Sequence, residues 1–271
     1  MKQRVGWLMT GIVASGLVAG LAGCKPNPSP QKSQEATGTT AAPAPVRRAV
    51  PLDPATLGDV SGTVHFSGKA PQRLLIDMSQ DPVCSMLGGN NYAEQYVVHD
   101  GKLANVYVYI KSGPPAAMSA PATTTAPVVL DQVGCKYVPH VIALMRGGSV
   151  EFRNSDGTMH NIHTIPAAGG NKEIDVSEGP KSAPEVRSFP DPEVMMPVRC
   201  NNHPWMNAFI NVSATPFFAV TDANGHFEIK GLPAGTYTLA VVHEKMGEQT
   251  MTLTVKPHAT ETANFTYSVK K

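Results

Sequence analysis

Three regimes of hydrophobic patterning follow one another along the chain. Residues 5–23 are an uncharged, mostly apolar run preceded by Lys2 and Arg4. Residues 24–57 are rich in Pro, Ala, Thr, Ser and Gln and carry almost no large apolar side chains. Such a stretch has nothing with which to bury a core, so a flexible, partly extended tether is expected there. From residue 58 onward the apolar positions alternate with a period near two. β-Branched and aromatic runs at 60–66, 96–98, 106–110, 128–130, 141–144 and 149–153 predict strands, as do those at 208–212, 217–220, 226–229, 236–243, 250–255 and 263–267. Turn signals separate them, among them Asp100-Gly101, Gly147-Gly148, Asn224-Gly225 and Pro233-Ala234-Gly235. No stretch has the 3.6-residue period of an amphipathic helix, and no Gly-rich phosphate loop occurs. The pattern predicts an all-β fold of antiparallel sandwiches.

Composition narrows the classes without naming a function. The 271 residues include 24 Gly, 24 Pro and only four cysteines, Cys24, Cys84, Cys135 and Cys200. A disulfide-dense miniprotein, a coiled coil, a collagen and a polytopic membrane protein are excluded. With 22 Lys and Arg against 21 Asp and Glu, there is no basic surplus to suggest nucleic-acid binding.

The N-terminus reads as an address. A basic start, an apolar run and small residues before a cysteine form a secretory signal over 1–23. Leu21-Ala22-Gly23-Cys24 resembles the bacterial lipobox, which implies that Cys24 is lipidated and holds the protein at a membrane; a plain membrane anchor is the alternative. More than one acyl chain is the condition for stable anchoring. The expected location is the periplasmic or extracellular side. Lys25 is not the acidic retention signal known in enterobacteria, which favours the outer membrane over the inner. Such a compartment permits disulfides.

The densest chemical signal is Cys200-Asn201-Asn202-His203-Pro204-Trp205-Met206, with Met159-His160-Asn161 about forty residues upstream. A metal that changes oxidation state with little change of geometry is served by a thiolate and two imidazoles in a trigonal plane with a weak axial thioether. Singly, each residue has an ordinary structural reading: a small buried Cys, a packed Met, a satisfied loop His. Jointly, their spacing favours ligation.

Residues 128–214 resemble the cupredoxins, blue-copper proteins of the plastocyanin and amicyanin kind. The resemblance is carried by Cys135-Lys136-Tyr137-Val138-Pro139, Gly148-Ser149-Val150-Glu151-Phe152-Arg153-Asn154, His160-Asn161 and the Cys200-x2-His203-x2-Met206 loop. It implies a Greek-key sandwich, one type 1 copper held by His160, Cys200, His203 and Met206, and outer-sphere electron transfer. Asn161 matches the family residue that bonds the cysteine loop. His163 competes with His160, but in an extended segment the two side chains point to opposite faces. Trp205 is expected to cover the site or to border a partner surface.

Residues 217–239 carry Val220-Thr221-Asp222, Gly225, Phe227, Ile229 and Gly231-Leu232-Pro233-Ala234-Gly235-Thr236-Tyr237. They resemble the carboxypeptidase regulatory-like, transthyretin-like sandwich. That family opens with a G-x-V-x-F strand, matched by Gly62-Thr63-Val64-His65-Phe66. The resemblance implies a discontinuous second sandwich, 58–111 plus 215–267, with a connector at 112–127 and the cupredoxin inserted. A simple N-terminal extension of the cupredoxin sheet is the alternative.

Cys84 and Cys135 remain. A disulfide between them is the default in an oxidising compartment; a second soft metal site with His140 is the alternative. The scattered His65, His99, His226, His243 and His258 read as structural or surface groups. The expected function is a membrane-tethered electron carrier, not an enzyme, working with a redox partner such as a cytochrome or dehydrogenase. A non-redox module binding protein or glycan is the competing reading. A multicopper enzyme is disfavoured, because there is no His-x-His pair from which to build a second cluster.

Overall fold

The computed structural model describes residues 51–87, 89, 91–121 and 126–269. The lipidation candidate Cys24, the leader and nearly all of the tether lie outside them. No helix among the described residues is long and apolar enough to cross a membrane.

The chain enters through β1 (Leu57–Phe66), whose side chains alternate strictly between half-buried and buried. Val60, Val64 and Phe66 on its buried face join the first hydrophobic core. Short strands β2 (Val98–His99) and β3 (Lys102–Leu103) and the longer β4 (Tyr107–Ser112) follow. Among the described residues the chain then leaves for nine strands and returns as β14 (Phe218–Val220), β15 (His226–Pro233), β16 (Gly235–His243), β17 (Gly247–Val255), β18 (Thr260–Thr262) and β19 (Phe265–Tyr267). β1 pairs antiparallel with β15 and β3, and parallel with β18 and β19. The facing sheet runs β14-β4-β16-β17. Both sheets therefore mix strands from the two ends of the described chain. Glycine is required in β1 because β18 and its flanking turns press on it. A Cβ at Gly62 would lie 1.8 Å from the Ala263 carbonyl oxygen, and one at Gly58 would lie 2.3 Å from that of Lys256.

The nine intervening strands are β5 (Val128–Gln132), β6 (Tyr137–Val138), β7 (Val141–Met145), β8 (Ser149–Asn154), β9 (His160–Thr164), β10 (Asp175–Glu178), β11 (Glu185–Ser188), β12 (Glu193–Arg199) and β13 (Asn207–Ser213). They form two further sheets, β10-β9-β12-β13-β7 and β11-β8-β5-β6, around a second core that includes Leu130, Phe152, Ile162, Val198 and Ile210. The fold class is all-β: a sandwich of the nine intervening strands and a second small sandwich built from the strands on either side of them.

Most strand pairs are antiparallel, as the pattern predicts, with parallel exceptions in both sandwiches. β5 with β8 and β7 with β13 pair in parallel. The chain crosses to the opposite sheet between the members of each pair, so it returns in the same direction. Residues 67–97, within the expected span of the second sandwich, contribute no strand to it. Among the described residues they hold one isolated bridge, Leu75 to Tyr92, and one helical turn, α1 (Pro82–Ser85). Pro71, Pro82 and Gly68 interrupt the alternation a strand needs. A further helical turn, α2 (Pro115–Met118), lies in the connector and buries Ala117.

Candidate metal centre

The loop from Cys200 to Met206 is the tight link between β12 and β13, adjacent antiparallel strands. Its ends are tied by the Cys200 N–H, which donates to the Met206 carbonyl (3.3 Å), while the Met206 N–H donates to the His203 carbonyl (2.9 Å). The turn folds His203 back over Cys200. His160, the first residue of β9, approaches from the neighbouring strand.

Three donors converge. His160 Nδ1 lies 2.9 Å from His203 Nδ1, and Cys200 Sγ lies 3.5 Å from His203 Nδ1. One ligand atom from each residue fits within 4.8 Å of the others. His160, Cys200, His203 and Met206 are 0, 5, 4 and 1 % exposed. Met206 shares the second core with Cys200. Asn161 accepts the Asn201 N–H (3.4 Å), so it bonds the cysteine loop, and its amide donates to Asp175 and to the Val176 carbonyl. His163 points away: its ring nitrogens face Asn201 Oδ1 and Glu173. Trp205 packs its ring 5.0 Å from that of His203, and its indole N–H donates to the Cys135 carbonyl (3.0 Å).

Two carboxylates complete the arrangement, and the sequence reading missed both. Asp156 Oδ2 lies 2.9 Å from His160 Nε2, and Asp81 Oδ2 lies 3.2 Å from His203 Nε2. Asp156 precedes His160 by four residues in the same loop, a local spacing that was open to detection. Asp81 is 122 residues from its histidine, and no local pattern announces it.

The electrostatics follow from these neighbours. Burial opposes ionisation of the Asp81 carboxyl, but the Cys84 N–H, His203, Thr158 and the Val83 N–H outweigh it and hold the group at about 2. Burial likewise disfavours the Asp156 carboxylate, yet His160 and the Cys135 and Gly134 N–H groups keep it below its ordinary range. Burial would discharge His160, but Asp156 and Cys200 raise it to about 9. The Cys200 thiol is raised by burial and lowered more by His160 and nearby N–H groups, for a net shift downward. The metal-free site thus favours a protonated His160 beside a Cys200 thiol that ionises more readily than usual. With Asp156 and Asp81 accepting from the two Nε2–H groups, His160 Nδ1–H donates to the free lone pair of His203 Nδ1.

Cys84 and Cys135 form a disulfide, with Cα atoms 5.7 Å apart. The alternative of a second site with His140 fails on geometry. His140 Nε2 lies 2.6 Å from Glu244 Oε1, a buried contact between the two sandwiches. His243 is also buried, with its ring against Tyr96 and Tyr267.

The family model of the carboxypeptidase regulatory-like domain matches residues 199–268. Its first residues fall on the Cys200 loop and β13, which belong to the other sandwich. No curated protein matches the chain. Among solved structures, a copper-containing nitrite reductase from Thermus scotoductus SA-01 is 25% identical with a TM-score of 0.30, covering 37% of this chain and 25% of that one. The chain therefore spans about a quarter of that enzyme's length. A purple cupredoxin from Nitrosopumilus maritimus is 21% identical with a TM-score of 0.27, covering 32% of this chain and 99% of that one. A Cu(I) form of an amicyanin variant is 23% identical with a TM-score of 0.27, covering 39% and 98%.

Proposed function

We propose that the protein is a single-electron carrier with one type 1 copper held by His160, Cys200, His203 and Met206. One observation carries the reading: two imidazole nitrogens and a thiol sulfur converge, buried, at the mouth of a rigid sandwich. In the metal-free protein a shared proton must separate the two facing nitrogens, which are 2.9 Å apart; a metal ion is the other occupant such a cluster suits. The donor set is soft and borderline, which fits copper better than a hard cation. Copper would supply one-electron chemistry by alternating between two oxidation states in that ligand set.

The residues around the cluster suit a carrier more than an enzyme. All four candidate ligands are buried, which leaves a substrate no approach, whereas an electron can cross a thin protein layer. Asp81 and Asp156 orient the imidazoles, and Asn161 braces the cysteine loop. Rigid ligands keep the geometry similar in both oxidation states. We further propose that Cys24 is lipidated and tethers the protein on the periplasmic or extracellular face of a membrane. Its redox partner would be a cytochrome or dehydrogenase. The inserted arrangement, with the cupredoxin-like sandwich entered and left from the other one, is read as the scaffold that presents the site.

The test is optical. Copper(II)-loaded protein is expected to show an intense visible band from Cys200 thiolate-to-copper charge transfer, and Cys200→Ser is expected to abolish it while the β-sheet circular dichroism persists. A colourless copper(II) complex of the wild type would sink the reading.

A further inference from the structure

The geometry points to Asp81 as a positioning residue for His203, delivered by a segment of chain that the Cys84–Cys135 bond fastens beside the metal centre. The inference rests on the ligand set proposed above.

Each histidine of the cluster has a carboxylate at Nε2, but the two carboxylates are supplied differently. Asp156 belongs to the loop that leads into β9, and its position follows from that loop. Asp81 belongs to residues 76–87, in the stretch between β1 and β2, which starts and ends in the other sandwich. Ile76, Met78 and Cys84 of that segment pack with Cys135 and Trp205 in a small apolar cluster of their own.

Asp81 divides its two oxygens between two tasks. Oδ1 accepts the backbone N–H groups of Val83 (2.7 Å) and Cys84 (2.9 Å), which caps α1. Oδ2 accepts the Thr158 hydroxyl (2.9 Å) and faces His203 Nε2 (3.2 Å). A carboxylate there holds the proton on Nε2 and leaves the Nδ1 lone pair directed at the cluster. Nothing in the Cys200–Met206 loop does this for His203.

The disulfide ties the two carboxylate carriers together. Cys84 lies in α1, three residues after Asp81. Cys135 donates its backbone N–H to Asp156 Oδ2 (2.8 Å), and Gly134 donates to Asp156 Oδ1 (2.8 Å). One covalent bond thus joins the turn that presents Asp81 to the turn that seats Asp156. Cys84 Sγ itself lies 3.9 Å from His203 Nε2, so this bond also screens that edge of the imidazole from solvent.

Asp81→Asn separates positioning from capping. The remaining carbonyl oxygen can cap α1, while an NH2 group replaces the oxygen that faced His203. Two donors cannot pair, so the Nε2–H form of His203 loses the acceptor that fixed it, while His160 Nδ1–H still opposes a proton on His203 Nδ1; neither tautomer is then held alone. In the metal-free full chain, 15N NMR should report an Nε2-protonated His203 in the wild type and a mixture of tautomers in Asp81→Asn. Copper(II) affinity should fall about 10- to 100-fold, the usual effect of removing an outer partner of a ligating histidine, with the β-sheet circular dichroism retained. An unchanged tautomer with wild-type affinity would overturn the assignment. A tautomer contrast in a protein whose wild type takes up no copper would support the Asp81–His203 contact and overturn the ligand set instead. For the fastening, Cys84→Ser combined with Cys135→Ser should expose His203 to diethyl pyrocarbonate, with the modified site mapped by mass spectrometry. His203 as protected as in the wild type would refute the role given to the disulfide.

Discussion

The two sandwiches solve the same packing problem and spend their interiors differently. The one built from the ends of the described chain is closed by Val60, Val64, Leu103, Leu239 and Val241 and buries few polar side chains: Thr215, Thr221 and His243. The one between them buries more: Gln132, Asn154, Asp156, His160, Asn161, Glu178 and His203 towards the end where β9 and the β12–β13 loop meet, and also His140, Thr164, Asn171, Glu193, Asn211 and Ser213 elsewhere. A buried polar group is costly unless it is bonded, and a sandwich of this size does not need such a cluster in order to fold. The first sandwich shows what the second would look like if it had only to be stable. The part of that excess that surrounds His160, Cys200 and His203 is what the proposed site would require.

The comparison is sharpened most by equal deletions in the two cores. Leu239 and Ile162 are both fully buried. Truncating either to alanine should cost about 2–5 kcal/mol, measured by denaturant unfolding. Their effects on the metal centre should differ. Ile162 stands two residues beyond His160 in β9, so Ile162→Ala should shift the visible band of copper-loaded protein. Leu239→Ala should leave the band unmoved. Equal spectral effects would mean that the two cores are not separate units, and the contrast drawn above would fail.

How much of this was legible in the sequence depends on range. Alternation in residues 60–66 gave β1 because a strand with one buried face writes its period directly into the chain. The Cys200-x2-His203-x2-Met206 spacing was legible for the same reason: a tight loop between adjacent strands brings near neighbours together. The edge strands β10 and β11 were missed because Asp175–Glu178 and Glu185–Ser188 are largely polar and exposed, and an edge needs no apolar alternation. α1 was missed although Asp81-Pro82 is a cap followed by a first-turn proline; one turn is too short to display a period. The Asp81–His203 contact was beyond reach, because it depends on how two distant segments meet in space. The chain records the donors plainly and their distant supports hardly at all.

A smaller test bears on the one histidine buried in the otherwise apolar sandwich. Burial depresses His243 to about 4, against a lesser upward pull from Glu244. Its ordinary value is 6.5, so above that pH the group is neutral whether the chain is folded or unfolded. As the pH falls below 6.5 the unfolded chain takes up a proton that the folded chain refuses. Stability should therefore decline between about pH 6.5 and 4 and level off below, by at most about 3 kcal/mol from this group. His243→Phe should remove that part of the slope in unfolding curves collected across the range. An identical slope in the variant would place the acid sensitivity elsewhere, with the buried groups of the other sandwich as the first candidates.

The smallest expected effect lies on the surface of the same sandwich. Lys111 on β4 and Glu248 on β17 form an ion pair across the intervening β16, and the Tyr109 hydroxyl donates to the same carboxylate (2.8 Å). Lys111 lowers the Glu248 carboxyl from its ordinary value, so the contact is favourable. It is also open to water, with side chains 48 and 33 % exposed, and water and salt screen such pairs. Lys111→Ala should therefore cost no more than about 1 kcal/mol, and the difference should vanish in high salt. Asp156 and His160 make a contact of the same chemical kind with both partners almost fully buried. If Lys111→Ala cost as much as a core deletion and resisted salt, burial would not be what separates the two sandwiches, and the polar cluster around His160 would lose its standing as a functional exception.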